Sequence, residues 1–136
     1  MQADRMLAGS CECSAVRYAV ADAFEYALNC HCRNCRAATG AAFKPLGGIR
    51  RERLETSAAR DELLVVGEPE GDHDVRCSVC GSLLWSVVRG GEYVHVALGS
   101  LADTPSLRPT MHIWVSEQAP WFEITDDLPQ YAEFPT

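Results

Sequence analysis

The chain has no apolar run approaching the roughly 20 residues that a membrane-spanning helix needs. Repeats, heptads and long low-complexity linkers are also missing, which excludes solenoid, coiled-coil and tail-like architectures. Its first residues, Met1 to Gly9, lack the continuous apolar stretch of a secretory signal, so a reducing, cytoplasmic setting is expected, with no membrane partner. Positive charge is scarce as well. Twelve basic residues stand against 19 acidic ones, for a net charge of -7, and eleven of the twelve are Arg, leaving Lys44 as the only Lys. The longest basic run, Arg50-Arg51-Glu52-Arg53, is short and interrupted, so no nucleic-acid partner is expected. With 136 residues and 47% hydrophobic content, the chain is long enough to bury a core and is read as one domain over 1–136.

Cysteine is absent outside three tight clusters, and those clusters carry the chemistry. They are Cys11-x-Cys13, Cys30-x-Cys32-x-x-Cys35 and Cys77-x-x-Cys80. Seven is an odd number, so a pure disulfide framework would strand one thiol, and it would need an oxidising compartment. The spacings also differ from the common ferredoxin runs of iron–sulfur proteins. Two zinc ions, one held by four thiolates and one by three, would use all seven. In extended backbone, residues i and i+2 share a face, so Cys11 with Cys13, and Cys30 with Cys32, can each close on one ion. Cys77-Ser-Val-Cys80-Gly81 has the form of a knuckle, a tight turn whose Gly takes positive φ after the second ligand while amides face the thiolates.

Elsewhere the periodicity is that of strands. Alternation predicts a strand over 14–20, and short segments between Pro and Gly punctuation predict further strands over 24–28, 63–66, 74–76, 111–115 and 121–124. Gly90-Gly91, which tolerates the positive φ of a two-residue primed turn, predicts a hairpin of 83–89 with 92–98. Helix is scarce: 33–38 reads as a turn carrying Cys35, and 58–64 fits helix or strand equally. The fold class expected is all-β.

Three stretches resemble the glutathione-dependent formaldehyde-activating enzyme family, whose domain is also called the centromere protein V domain. They are Gly9-Ser-Cys-Glu-Cys-Ser-Ala-Val-Arg-Tyr18, Cys30-His-Cys-Arg-Asn-Cys-Arg36 with Ala38-Thr-Gly-Ala-Ala-Phe43, and Cys77-Ser-Val-Cys-Gly-Ser-Leu83. Leu98 to Asp103, Pro109 to Ile113 and Ala119 to Tyr131 follow in the family's order. Ala37, Arg76 and Ala102 depart from its usual pattern. The resemblance implies a Mss4-like fold of small twisted antiparallel sheets stapled by zinc. It also implies a partition: Cys11, Cys13, Cys77 and Cys80 in a closed structural site, and Cys30, Cys32 and Cys35 in a second site with one open position.

A zinc that already carries three thiolates is a weak Lewis acid toward water and is better suited to hold a fourth thiolate. The implied activity is a carbon–sulfur lyase type of enzyme joining a thiol such as glutathione to a small carbonyl such as formaldehyde, giving S-hydroxymethylglutathione. A non-catalytic binding module and a zinc or redox sensor are the competing readings. Arg33, Arg36 and Lys44 are candidate partners for substrate carboxylates, and His112 a candidate cavity residue. His31 lies between two ligands, so it is expected to pack on the opposite face.

Overall fold

A computed structural model describes residues 4–135. Strands dominate its regular structure: β1 Met6–Ser10, β2 Arg17–Ala21, β3 Tyr26–Cys30, β4 Lys44–Arg50, β5 Leu54–Thr56, β6 Leu63–Gly67, β7 His73–Cys77, β8 Leu83–Val88, β9 Tyr93–Ala97 and β10 His112–Ile113, with one α-helix among the described residues, α1 Arg33–Thr39, and short 3-10 turns. The all-β expectation holds. The sheets are not all small and antiparallel, however. One has three strands in the order β1-β2-β5, the other seven in the order β10-β3-β4-β9-β8-β7-β6, and β10 runs parallel to β3.

The core lies between the sheets. Leu7, Val16, Tyr18 and Val20 from the small sheet side meet Ile49, Val75, Leu84, Trp85, Val87, Val94 and Val96 from the large one. Tyr18 meets Trp85 edge-on at 5.4 Å. A second cluster, Leu28, Leu46 and Ile113 with the buried Cys30, sits at the β3–β10 edge and underlies the three-cysteine segment.

Several boundaries differ from the sequence reading for local reasons. The strand expected from residue 14 starts at Arg17, because Ser14 is left-handed (φ 67°) in a turn closed by its amide on the Cys11 carbonyl. Cys11 and Cys13 therefore sit in a turn rather than in extended backbone, and Cys30 ends a strand while Cys32 caps α1. The predicted strand over 111–115 shrinks to His112–Ile113 because Trp114 is left-handed (φ 56°). Residues 121–124 follow Pro120 and are irregular, leaving Trp121 on the surface. The hairpin link is four residues, 89–92, since Val88 pairs with Tyr93. Arg89 shares the positive φ of Gly90 and Gly91, and its guanidinium lies 4.4 Å from the Tyr93 ring centroid. Residues 58–64 resolve into a 3-10 turn, Arg60–Glu62, followed by β6.

Strand β4 escaped the sequence reading because Lys44-Pro-Leu-Gly-Gly-Ile-Arg50 looks like a turn. Pro45 precedes the stretch that pairs with β9, which begins at Leu46, so its missing N–H interrupts no β9 partner. Gly48 is opposite Tyr26, and a Cβ there would lie 2.1 Å from the tyrosine ring, so the glycine is what lets the ring cross the strand.

Candidate metal centres and the cleft beside them

The seven thiols gather into two groups. The sulfurs of Cys11, Cys13, Cys77 and Cys80 lie within 4.8 Å of one another, and so do those of Cys30, Cys32 and Cys35. Adjacent sulfurs are 3.6 Å apart for Cys11 and Cys13, 3.7 Å for Cys13 and Cys77, and 3.5 Å for Cys30 and Cys32. A disulfide needs about 2.05 Å. Tetrahedral thiolates at about 2.3 Å from a central zinc would be spaced about 3.8 Å apart, so both groups fit a shared metal ion.

The four-sulfur group joins the turn after β1 to the β7–β8 hairpin. Val79 and Cys80 amides donate to Cys77 Sγ at 3.4 and 3.5 Å, the Val16 amide donates to Cys11 Sγ at 3.2 Å, and Gly81 has φ 81°. These amides stabilise negative sulfur. Cys77 and Cys11 are buried, while Cys13 and Cys80 face solvent.

The three-sulfur group has a different setting. Cys32 caps α1, its Sγ accepting the Cys35 amide at 3.3 Å. Thiol hydrogen bonds from Cys30 and Cys35, helped by the Cys35 and Asn34 amides, hold the Cys32 thiol far below its usual range. Sharing with Cys32 in turn pushes the Cys30 thiol up to about 11. The three thiols thus share protons, with negative charge favoured at Cys32, and loading the group with a cation would displace those protons. Cys30 and Cys35 line a cleft of about 420 Å³ together with Lys44, Asp74, Ser86 and His95.

A family model for the glutathione-dependent formaldehyde-activating enzyme matches residues 6–117, which takes in all seven cysteines. The chain belongs to that family. Among relatives named provisionally as glutathione-dependent formaldehyde-activating enzymes, a Fusarium vanettenii protein is 32% identical over 98 residues, 66% of this chain and 53% of that protein. A Halomonas elongata protein is 29% identical over 136 residues, 88% of this chain and 81% of that protein. The chain therefore spans about half the length of the Fusarium relative it matches. A solved Rhodobacter sphaeroides protein superposes with a TM-score of 0.57 at 22% identity, covering 73% of this chain and 91% of that one, which shows a shared fold.

Of the family member's other candidate residues, Lys44 is brought to the cleft with Cys30 and Cys35, while Arg33, Arg36 and His112 lie outside its lining. Arg36 donates to the Glu117 carbonyl at 3.1 Å, and the Arg33 amide donates to the Glu117 carboxylate at 2.8 Å. His112 is buried and bridges two residues: its Nδ1 lies 2.8 Å from His31 Nε2 and its Nε2 3.0 Å from Asp126 Oδ2. Because the carboxylate accepts, His112 donates from Nε2 to Asp126 and accepts at Nδ1 a hydrogen bond that His31 donates from Nε2. Burial, reinforced by His112, lowers the His31 pKa to about 4, and its ring packs on Phe43 at 4.9 Å.

Sequence reasoning missed Asp74, Ser86, His95 and Asp126. Two of them had a signal. Ser86 in Leu83-Leu-Trp-Ser-Val-Val88 and His95 in Tyr93-Val-His-Val-Ala97 are polar interruptions of apolar strands, and hairpin register puts them opposite each other.

Proposed function

We propose that this chain, acting as one zinc domain over 1–136, joins a thiol such as glutathione to a small aldehyde such as formaldehyde, and in reverse cleaves the carbon–sulfur bond. Cys11, Cys13, Cys77 and Cys80 would hold a structural zinc whose four protein ligands leave no room for substrate. Cys30, Cys32 and Cys35 would hold a second zinc. Bound there, zinc supplies the charge that keeps a substrate thiol ionised at neutral pH.

The chain's own residues do the rest. The cleft walls position the thiol, and Lys44, buried at 4% exposure, offsets the negative charge that a further sulfur brings to a cysteine-rich site. The thiolate sulfur forms a bond to the carbonyl carbon as the C=O π-bond breaks, and the new oxygen takes a proton from solvent. The sum is RSH plus formaldehyde giving RSCH2OH, which for glutathione is S-hydroxymethylglutathione. A reducing, cytoplasmic setting suits seven free thiols.

The observation that carries this reading is that the incomplete sulfur set opens, through Cys30 and Cys35, on a cleft that also holds the buried ammonium of Lys44. Native mass spectrometry of anaerobically purified protein tests it. Two zinc ions and one glutathione per chain are expected, with one zinc and the glutathione lost together in Cys35→Ser. Two zinc ions with no thiol adduct would point to a binding module instead.

A further inference from the structure

The cleft beside Cys30 and Cys35 continues over one face of the large sheet, where its floor is a polar row. Asp74, Ser86 and His95 are cross-strand partners on β7, β8 and β9, so their side chains stand side by side. Lys44 Nζ donates to Ser86 Oγ at 2.8 Å, and Ser86 Oγ donates to Asp74 Oδ1 at 2.6 Å. An ammonium and a carboxylate are thus held on either side of a single hydroxyl oxygen, and all three residues line the same cleft as the two cysteines.

Two features mark this arrangement as more than a structural pair. Burying an ammonium costs several kcal/mol unless it is compensated. Yet, among the described residues, no carboxylate comes within salt-bridge distance of Lys44, and its side-chain hydrogen bond goes to Ser86. Two of its three N–H donors remain for a ligand. The second feature is charge. The cleft is lined by one cation, Lys44, and by two carboxylates, Asp72 and Asp74. Burial, with Lys44 and Arg89 nearby, lowers the His95 pKa to about 4 and so keeps it neutral at pH 7. His73 adds no free donor at Nδ1, which faces the Glu68 and Gly71 carbonyls. A ligand whose charges are all negative meets a floor that is negative overall. A ligand that offers a carboxylate and an ammonium together meets a complement for each.

We propose that Lys44, Ser86 and Asp74 form a headgroup site for the zwitterion of an α-amino acid, with the ligand carboxylate on Lys44 and its ammonium on Asp74. The headgroup site rests on the thiol-joining function above and narrows its substrate class. The preferred thiols carry a free α-amino-acid group, as cysteine and the γ-glutamyl end of glutathione do, and simple anionic thiols are disfavoured. The ammonium, rather than the carboxylate alone, is the discriminating feature.

Calorimetry on the zinc-loaded full chain tests this with glutathione, N-acetylglutathione, 3-mercaptopropionate and 2-mercaptoethanol. Loss of one charge-assisted hydrogen bond predicts that N-acetylation weakens binding about tenfold or more. Asp74→Asn should bring glutathione to the level of the N-acetyl form and leave the latter unchanged. Equal binding of the two thiols to the wild-type chain overturns the proposal without any variant. S-methylglutathione, which has no free thiol, separates this site from the chemistry it serves. Nuclear magnetic resonance shifts at the Ser86 and Asp74 amides, lost in Asp74→Asn, are expected with it. Their presence, with glutathione binding the zinc-loaded chain no more tightly than S-methylglutathione, would retain the headgroup site and reject the thiol-joining reading; their absence would reject the headgroup site.

Discussion

Arg76 on β7 reaches the Ala38 carbonyl at the end of α1 and, with its other terminal nitrogen, the Gly81 carbonyl at 3.0 Å. One guanidinium therefore ties the knuckle that bears Cys77 and Cys80 to the helix that bears Cys35. Arg76→Met keeps the stem and removes both bonds. It should lower unfolding stability by about 1–3 kcal/mol while leaving the metal count unchanged, as read from urea midpoints and elemental analysis.

The two sulfur groups should fail differently. Cys77 is fully buried and belongs to the group that joins the β1–β2 turn to the β7–β8 hairpin, so, with a zinc held there as proposed, Cys77→Ser would remove a ligand whose metal-binding energy is folding energy. Loss of cooperative unfolding at 25 °C is expected by circular dichroism. Cys35→Ser, on a short helix at the cleft, should keep the β spectrum and cost a single metal ion.

The three cysteine clusters were legible because each is contiguous in sequence, whereas their partition into two groups was implied only by the family resemblance; the β8–β9 hairpin was legible because Gly90-Gly91 separates two apolar runs. What stayed hidden depends on tertiary partners. Gly47 and Gly48 suggest a turn until the rings of Phe24 and Tyr26 are seen lying across them. Asp126 sits in an irregular stretch, and nothing local ties it to His112 or, through His112, to His31, which lies 81 residues before His112. Lys44 stood out by its rarity, but its neighbours Ser86 and Asp74 are joined to it only by strand order.

That histidine chain carries its own prediction. His112→Ala leaves His31 Nε2 without an acceptor at a fully buried position and opens a cavity between Phe43 and the C-terminal segment. An orphaned buried donor and lost packing together predict about 2–4 kcal/mol of destabilisation. Asp126, half exposed, should matter less: Asp126→Asn keeps an acceptor for His112 and is expected to cost under about 1 kcal/mol by thermal unfolding.

Gly48→Ala should be as damaging as a core substitution although it adds one methyl group. The new Cβ would meet the Tyr26 ring at 2.1 Å, and the ring is pinned by its hydroxyl on His95 Nε2 at 2.7 Å. Overpacking of this kind costs about 1–3 kcal/mol. If the clash is the cause, Tyr26→Ala should recover part of the loss in the double variant, and a strictly additive result would disprove it.

His95 makes stability fall with acid before most carboxylates titrate. Burial, then the charges of Lys44 and Arg89, lowers its pKa from 6.5 to about 4, and Tyr26 OH and Ser86 are its uncharged neighbours. As pH falls below 6.5, the unfolded chain takes up a proton that the folded chain refuses, so the stability associated with neutral His95 is complete above 6.5 and drains away down to about pH 4. The full loss is on the order of a few kcal/mol. Urea midpoints measured from pH 7.5 to 5 should therefore drop faster in the wild-type chain than in His95→Gln, which cannot protonate. The difference between the two isolates this group from His31, which is present in both proteins, and parallel curves would mean that His95 takes up its proton equally in the folded and unfolded chains.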